Sequence, residues 1–220
     1  MIGHRTESRS ATVPATAQCA ARSTVALEQA APCVSRGVPS LFETIRLASA
    51  LATALALACG LIAVIVDAAF AAQARRWLAF PFTGISARPD VAAGIFLHNV
   101  HALAAVGGLL LIAQSAQWTA SADEPTRVSG TARRLGEVLL GGAIAANLIT
   151  VGASFGAYGT RMLLAALPHG PAELAAYSLA LALYRQGRTR ALPTRHMLAV
   201  VALSVAMLAL AAVLETYVNL

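Results

Sequence analysis

The residues with the clearest potential for chemistry lie between Leu167 and Glu173, in the segment Leu-Pro-His-Gly-Pro-Ala-Glu. Its imidazole, His169, and its carboxyl, Glu173, stand four positions apart, so on a helix they share one face and can exchange a hydrogen bond or a proton. The two prolines and the glycine remove amide donors and break a helix, which leaves carbonyl oxygens in need of partners. The segment therefore predicts a broken helix that carries a polar pair.

Other ionisable or amide side chains lie inside apolar stretches, where each is costly and a functional role is the default interpretation. They are Asp67, His98, Asn99, His101, Asn147 and Glu215. A rise of about 1.5 Å per residue places most of this set in one half of a bilayer, with every apolar stretch contributing. We therefore expect a polar cluster between helices, with a cavity open to one side as one form of it. Interhelical hydrogen bonding, relief of a kink, or hydration near the membrane surface are the simpler alternatives.

Five apolar stretches position these residues, and each is near the roughly 20 residues that a helix needs to cross a bilayer. They cover residues 47–70, 91–115, 138–158, 162–184 and 197–218. The chain is 58% hydrophobic and only 12% charged, whereas a soluble domain needs more polar surface. The alternating polarity of a β-barrel is absent from these stretches. The sequence therefore predicts an all-α fold, a polytopic transmembrane helical bundle of about five spans.

Residues 1–42 are rich in Ala, Ser, Thr and Arg and are interrupted by prolines, so we expect a disordered polar tail before a transmembrane domain at 43–220. The break after Leu167 leaves open whether residues 162–184 cross the membrane or dip into it and return.

All sixteen basic residues are arginine, and the net charge is +6. A basic chain can indicate a nucleic-acid partner, but these arginines cluster between apolar stretches, which is the pattern of a topology signal. If the N-terminus is cytoplasmic, nine arginines flank the spans on the cytoplasmic side and four on the outer side. We therefore predict no nucleic-acid partner, an inner N-terminus and an outer C-terminus. Trp77 and Trp118 fall just beyond spans, as interfacial anchors do.

Small residues predict where the helices approach closely. Gly152 and Gly156 form a GxxxG pattern in the third span, which allows tight packing of two backbones. In the first span small residues recur at every fourth position, at Ala48, Ala52, Ala56 and Gly60. An alanine-rich sequence also produces such spacings by chance.

At the Leu167–Glu173 segment the chain resembles the stage II sporulation protein M (SpoIIM)-like membrane proteins. The resemblance rests on the fourth-span motif, with matches at Leu167, Pro168, His169, Gly170 and Glu173. Phe96 and Asn99 match part of the family's second-span pattern, while His98 departs from it. Gly152, Gly156 and Glu215 fit a glycine-rich third span and a glutamate near the end of the last span. The resemblance covers roughly residues 45–220.

The resemblance implies a five-span protein of the bacterial cytoplasmic membrane. The family's namesake is a membrane platform for peptidoglycan-degrading partners during engulfment. The leading hypothesis is therefore a non-enzymatic scaffold or assembly factor for cell-envelope partners, itself surrounded by lipid and able to form homo-oligomers. We find no catalytic motif and expect no cofactor or metal. A membrane permease component that acts as an oligomer or with an ATPase subunit is the alternative, and an intramembrane metalloprotease using His98, His101, His169 and Glu173 is a third hypothesis.

Overall fold

The computed structural model describes residues 39–79, 87–119 and 127–218, and within these it leaves the side chains of 116–119 and 127–133 undescribed. The described residues form seven helices and no strand. The helices are α1 Leu41–Ala69, α2 Ala71–Leu78, α3 Pro89–Thr119, α4 Arg127–Tyr158, α5 Thr160–Ala166, α6 Gly170–Gly187 and α7 Thr194–Tyr217. The predicted all-α helical bundle is confirmed.

Helix α1 begins at Leu41 because a reciprocal pair of hydrogen bonds caps it. The Glu43 amide donates to the Ser40 hydroxyl at 3.1 Å, and the Ser40 amide donates to the Glu43 carboxylate at 3.2 Å. This capping box satisfies amides that a helix start otherwise leaves unpaired. The helix therefore begins two residues before residue 43, the predicted start of the transmembrane domain, and residues 1–38 of the predicted tail lie outside the described residues.

Four of the described helices are long and apolar enough to cross a membrane, so the chain is a multi-pass membrane protein. These candidate spans are Leu41–Ala69, Pro89–Ser115, Arg134–Tyr158 and Thr194–Tyr217, and they contain the predicted first, second, third and fifth stretches almost entirely. Large apolar side chains such as Leu57 and Val138, each 70% exposed, point away from the bundle as lipid-facing residues do.

The fourth predicted stretch, residues 162–184, is divided between two helices, and the predicted break is confirmed. Helix α5 ends at Ala166 and α6 begins at Gly170, with Pro171 in the first turn of α6, where a missing amide costs nothing. Helix α6 packs against α1, α3 and α7. Because protein surrounds it, α6 can carry polar residues that a lipid-facing span would exclude.

Helix α6 runs from one end of the bundle to the other, although it is not among the four candidate membrane spans. At one end, called here the Thr44 end, the Thr44 hydroxyl donates to Gln186 at 3.0 Å and lies 3.1 Å from His196 at the start of α7. At the opposite end, called the Glu173 end, Glu173 of α6 lies beside Glu215 near the close of α7. The chain therefore passes along the bundle five times, and α1 begins at the opposite end from the close of α7.

The largest contact between long helices is the one between α1 and α4, and two glycines make it close. A Cβ at Gly156 would touch the Ala63 carbonyl and lie 2.8 Å from Val66 Cβ, and a Cβ at Gly152 would lie 2.8 Å from Ile62. The small residues at every fourth position of α1, from Ala48 to Gly60, do not share one environment. Ala48 is buried, but Ala56 and Gly60 are exposed, because α4 and α6 pack on other faces of α1.

At the Thr44 end a buried glutamine holds the connection between α6 and α7. Gln114 is fully buried, and its amide nitrogen donates to the carbonyls of Gly187 at 2.7 Å and Arg190 at 3.1 Å. Its amide oxygen accepts from the Leu192 amide at 2.9 Å. Beside it, Arg188 forms an ion pair of 3.1 Å with Glu137 of α4. The connection is thereby fastened to α3 and α4.

Candidate functional site

Helices α3, α6 and α7 meet at the Glu173 end and leave an open cleft of about 380 Å³. Its lining combines apolar residues with carboxyl, imidazole and amide groups. The lining residues are Gly94, Ile95, His98, Asn99, His169, Glu173 and Glu215. We call this feature the carboxylate cleft. It contains residues from the predicted second, fourth and fifth spans, which are separated by at least 40 residues in the sequence.

A short hydrogen-bond chain organises the carboxylate cleft. The Asn99 amide of α3 donates to the Glu173 carboxylate of α6 at 2.5 Å. One turn along α6, the Tyr177 hydroxyl donates to the Asn99 amide oxygen at 3.3 Å and lies 3.4 Å from the Asn99 carbonyl. Asn99 is therefore held from both sides, and one carboxylate oxygen of Glu173 is satisfied within the protein.

His169 occupies the break between α5 and α6 and begins the latter helix. Its carbonyl accepts from the amides of Ala172 at 3.0 Å and Glu173 at 3.1 Å, so the predicted pair is joined through the backbone. The Glu173 side chain bonds Asn99 and not the imidazole. Among the described residues the buried Nδ1 of His169 has no hydrogen-bond partner. An unpaired buried nitrogen is costly, and His169 itself lines the cleft.

Glu215 and His98 complete the polar lining from the two flanking helices. Glu215 forms no hydrogen bond or ion pair with another described residue, and its carboxyl faces the same cleft as that of Glu173. His98 is an exposed neighbour of Asn99 on α3. Two carboxyls and two imidazoles in one cleft can bind an ammonium or another cationic donor, accept hydrogen bonds, and exchange protons.

The remaining polar residues predicted to join this cluster lie elsewhere, so the expectation that every span contributes is wrong. Asp67 is exposed on α1 beside Gly156, and Asn147 is exposed near the middle of α4. His101 is also exposed, with its Nδ1 2.6 Å from the Leu97 carbonyl of its own helix. The residues that line the cleft come from α3, α6 with the break before it, and α7, whereas α4 makes its largest contact with α1.

The metalloprotease hypothesis needs three or four converging ligands. Within the part of the chain that the structure describes, no group of three His, Cys, Asp or Glu side chains is arranged to hold a metal ion. His101, one of the proposed ligands, lies outside the carboxylate cleft.

Three residues that matter here were not singled out from the sequence. Tyr177 follows Glu173 by four positions, so helical spacing alone places it on the same face. Gly94 and Ile95 precede His98 by about one turn and line the cleft for the same reason. The polar residues beside them were evident from the sequence, but Tyr177, Gly94 and Ile95 themselves resemble ordinary residues of a membrane span.

Comparisons of the chain with family models, with curated proteins and with solved structures found no match.

Proposed function

We propose that the protein is a non-enzymatic assembly factor of the bacterial cytoplasmic membrane, similar to the SpoIIM-like proteins, which holds cell-envelope partners together. The observation that carries the proposal is that three residues distant in the sequence lie close together in the structure. Asn99, Glu173 and Glu215 come from three separate segments that carry the family resemblance, and all three line the carboxylate cleft. A cleft with a few converging polar groups is the default binding site of a protein.

The distribution of the arginines indicates how the proposed protein is oriented in the membrane. Among the described residues the arginines at the Thr44 end are Arg46, Arg134, Arg185, Arg188, Arg190 and Arg195, and those at the Glu173 end are Arg75, Arg76, Arg88 and Arg161. Arginine-rich flanks remain in the cytoplasm, so the Thr44 end is cytoplasmic. The carboxylate cleft then opens on the outer side, where peptidoglycan-remodelling partners act.

A second feature supports assembly and lies apart from the cleft. Asn147 is exposed on α4, thirteen residues from Arg134 and eleven from Tyr158 at the two ends of that candidate span. An amide at this depth faces hydrocarbon, where it is costly unless another helix supplies a hydrogen bond. The proposal therefore places a partner helix, from a second copy or from another protein, against this face of α4.

Replacing Asn147 with leucine is expected to weaken the complex without unfolding the protein. An interhelical hydrogen bond in a membrane contributes about 0.6–2 kcal/mol, so partner binding should fall roughly three- to thirty-fold. The measurement is quantitative recovery of partners from membranes solubilised in mild detergent. The wild-type protein should bring down discrete cell-envelope proteins or a second, differently tagged copy of itself.

Thr53→Val on α1 is the matched control, because this exposed hydroxyl already donates its only proton to the Ser49 carbonyl at 2.9 Å and has no donor left for a partner. It should leave recovery unchanged. Repeated isolation of the bare wild-type protein under gentle conditions would contradict the assembly role, as would equal recovery by the Asn147 and Thr53 variants.

The break between α5 and α6 favours a second candidate function, a transport component. Broken helices and polar groups near them are typical of transporter substrate sites. Under this alternative, proteoliposomes carrying the protein as an oligomer or with an ATPase subunit would show substrate flux that Glu173→Gln abolishes. Flux that survives this substitution would remove the cleft from any transport path.

A further inference from the structure

An apolar groove lies along the same three helices as the carboxylate cleft. It has a volume of about 200 Å³, and its lining includes Val100, Leu103, Gly107, Ala180, Val201 and Val205. Ser204 also lines it, but the Ser204 hydroxyl already donates to the Val200 carbonyl at 3.0 Å. The groove therefore offers hydrocarbon surface and no unsatisfied side-chain donor among its described residues. Apolar cavities of about 150 Å³ remain dry and bind hydrocarbons.

The groove and the carboxylate cleft follow each other along one seam between α3, α6 and α7. On α3, Asn99 lines the cleft and the next residue, Val100, lines the groove. On α6, Glu173 and Ala180 are seven residues apart, which is about 10 Å along the helix. Tyr177 lies between them and bonds Asn99. A ligand that occupies both sites needs a polar end and an apolar end separated by about this length.

The groove is open toward the bilayer at its edges. Ala104 of α3 and Val201 of α7 line it and are both exposed, while Leu103, Leu183 and Ser204 form its buried floor. Hydrocarbon can therefore enter from the side, between α3 and α7. In a bilayer the molecules available in quantity at this opening are lipids.

The polar end of the seam has the chemistry of a zwitterionic head group. Two carboxyls, Glu173 and Glu215, can accept from an ammonium, which carries three donors. Two imidazoles, His98 and His169, can donate to a phosphate, and bonds with one charged partner are among the stronger hydrogen bonds in proteins. A free cation would satisfy the carboxyls but leave the groove empty.

We propose that the seam binds one phospholipid whose head group carries a primary ammonium, with the ammonium in the carboxylate cleft and an acyl chain in the groove. The glycerol region then passes Tyr177. The lipid-binding proposal rests on the proposed function only because both take the carboxylate cleft as the binding site of the protein. Its test is lipid retention, whereas the assembly role is tested by partner recovery, so either can fail alone.

The experiment reconstitutes the full chain with equal amounts of phosphatidylethanolamine, phosphatidylcholine and phosphatidylglycerol of identical acyl chains. Native mass spectrometry then measures the lipids retained per chain after transfer to mild detergent. Phosphatidylethanolamine should be retained at about one per chain and preferred over phosphatidylcholine by roughly tenfold, since the quaternary ammonium has no N–H donor. The Glu173→Gln, Glu215→Gln double variant should reduce this preference to about one.

A second pair of variants tests the groove and controls for folding. Gly107 lines the groove and has open space around its Cβ direction, so Gly107→Leu should fill the groove and remove every lipid adduct. Gly108 has open space too but does not line the groove, so Gly108→Leu should retain the lipid. Equal retention of the three lipids by the wild-type protein would overturn the proposal. So would retention by the Gly107 variant, or capture of a free amine or a peptide in place of lipid.

Discussion

Gly156→Ala is expected to lower the stability of the protein by about 2 kcal/mol, even though alanine is the better helix former. The added Cβ would meet the Ala63 carbonyl, Val66 Cβ at 2.8 Å and the Asp67 amide nitrogen at 3.0 Å. Two of these three atoms belong to the α1 backbone, which cannot turn aside as a side chain can. Overpacking of this kind costs about 1–3 kcal/mol or more, which exceeds the gain of up to about 1 kcal/mol in helix propensity.

Gly141→Ala on the same helix is the matched control, since no atom lies within 4 Å of the position that its Cβ would take. It should leave stability unchanged or raise it by up to about 1 kcal/mol. The measurement is the unfolding free energy in mixed micelles, titrated with a denaturing detergent. Equal effects of the two substitutions would show that α1 and α4 do not pack as described.

Gln114→Leu is expected to produce the larger loss, about 3 kcal/mol or more. The substitution keeps the side chain's approximate size but removes the partners of the Gly187 and Arg190 carbonyls and of the Leu192 amide. Each buried polar group left unsatisfied costs about 1–3 kcal/mol. The connection between α6 and α7 should therefore detach from α3, and proteolysis should cut within residues 187–193 in the variant before it cuts elsewhere.

Gln73→Leu on α2 controls for the loss of a glutamine as such. Gln73 is exposed, so its replacement should change the unfolding free energy by less than about 0.5 kcal/mol. If Gln114→Leu were equally mild, the three hydrogen bonds would not be holding the connection.

Much of the fold could be predicted from the sequence because membrane spans obey a strong rule. Every backbone polar group in hydrocarbon must be paired internally, so long apolar stretches become helices. The break at Leu167–Gly170 was also predictable, since two prolines flanking His169 and Gly170 leave a helix few alternatives. The close contacts of Gly152 and Gly156 also followed from residue type and spacing, whereas the exposed position of Asn147 on the same helix did not.

The arrangement around helix α6 was harder to predict. Its residues are too polar for a lipid-facing span, and only the packing of α1, α3 and α7 around it explains how it crosses the bundle. For the same reason the sequence could place Asn99, Glu173 and Glu215 in one half of the bilayer and suggest a polar cluster there, but it could not tell which of the candidate residues meet in one cleft. The depth of a residue in the membrane follows from counting residues along its helix. Which sides of two helices contact each other depends on tertiary contacts such as those of Tyr177, and the periodicity of a sequence does not predict these contacts.

The membrane topology of the chain is the most direct test of this account. In a variant without native cysteines, Val218→Cys should react with a membrane-impermeant maleimide in intact cells, because the proposed orientation places the Glu173 end outside the cell. Ala191→Cys, in the connection at the Thr44 end, should react only after the cells are permeabilised. Labelling of both positions only after permeabilisation would contradict the proposed topology, since α7 would then begin and end on the same side of the membrane and the carboxylate cleft could not open outward.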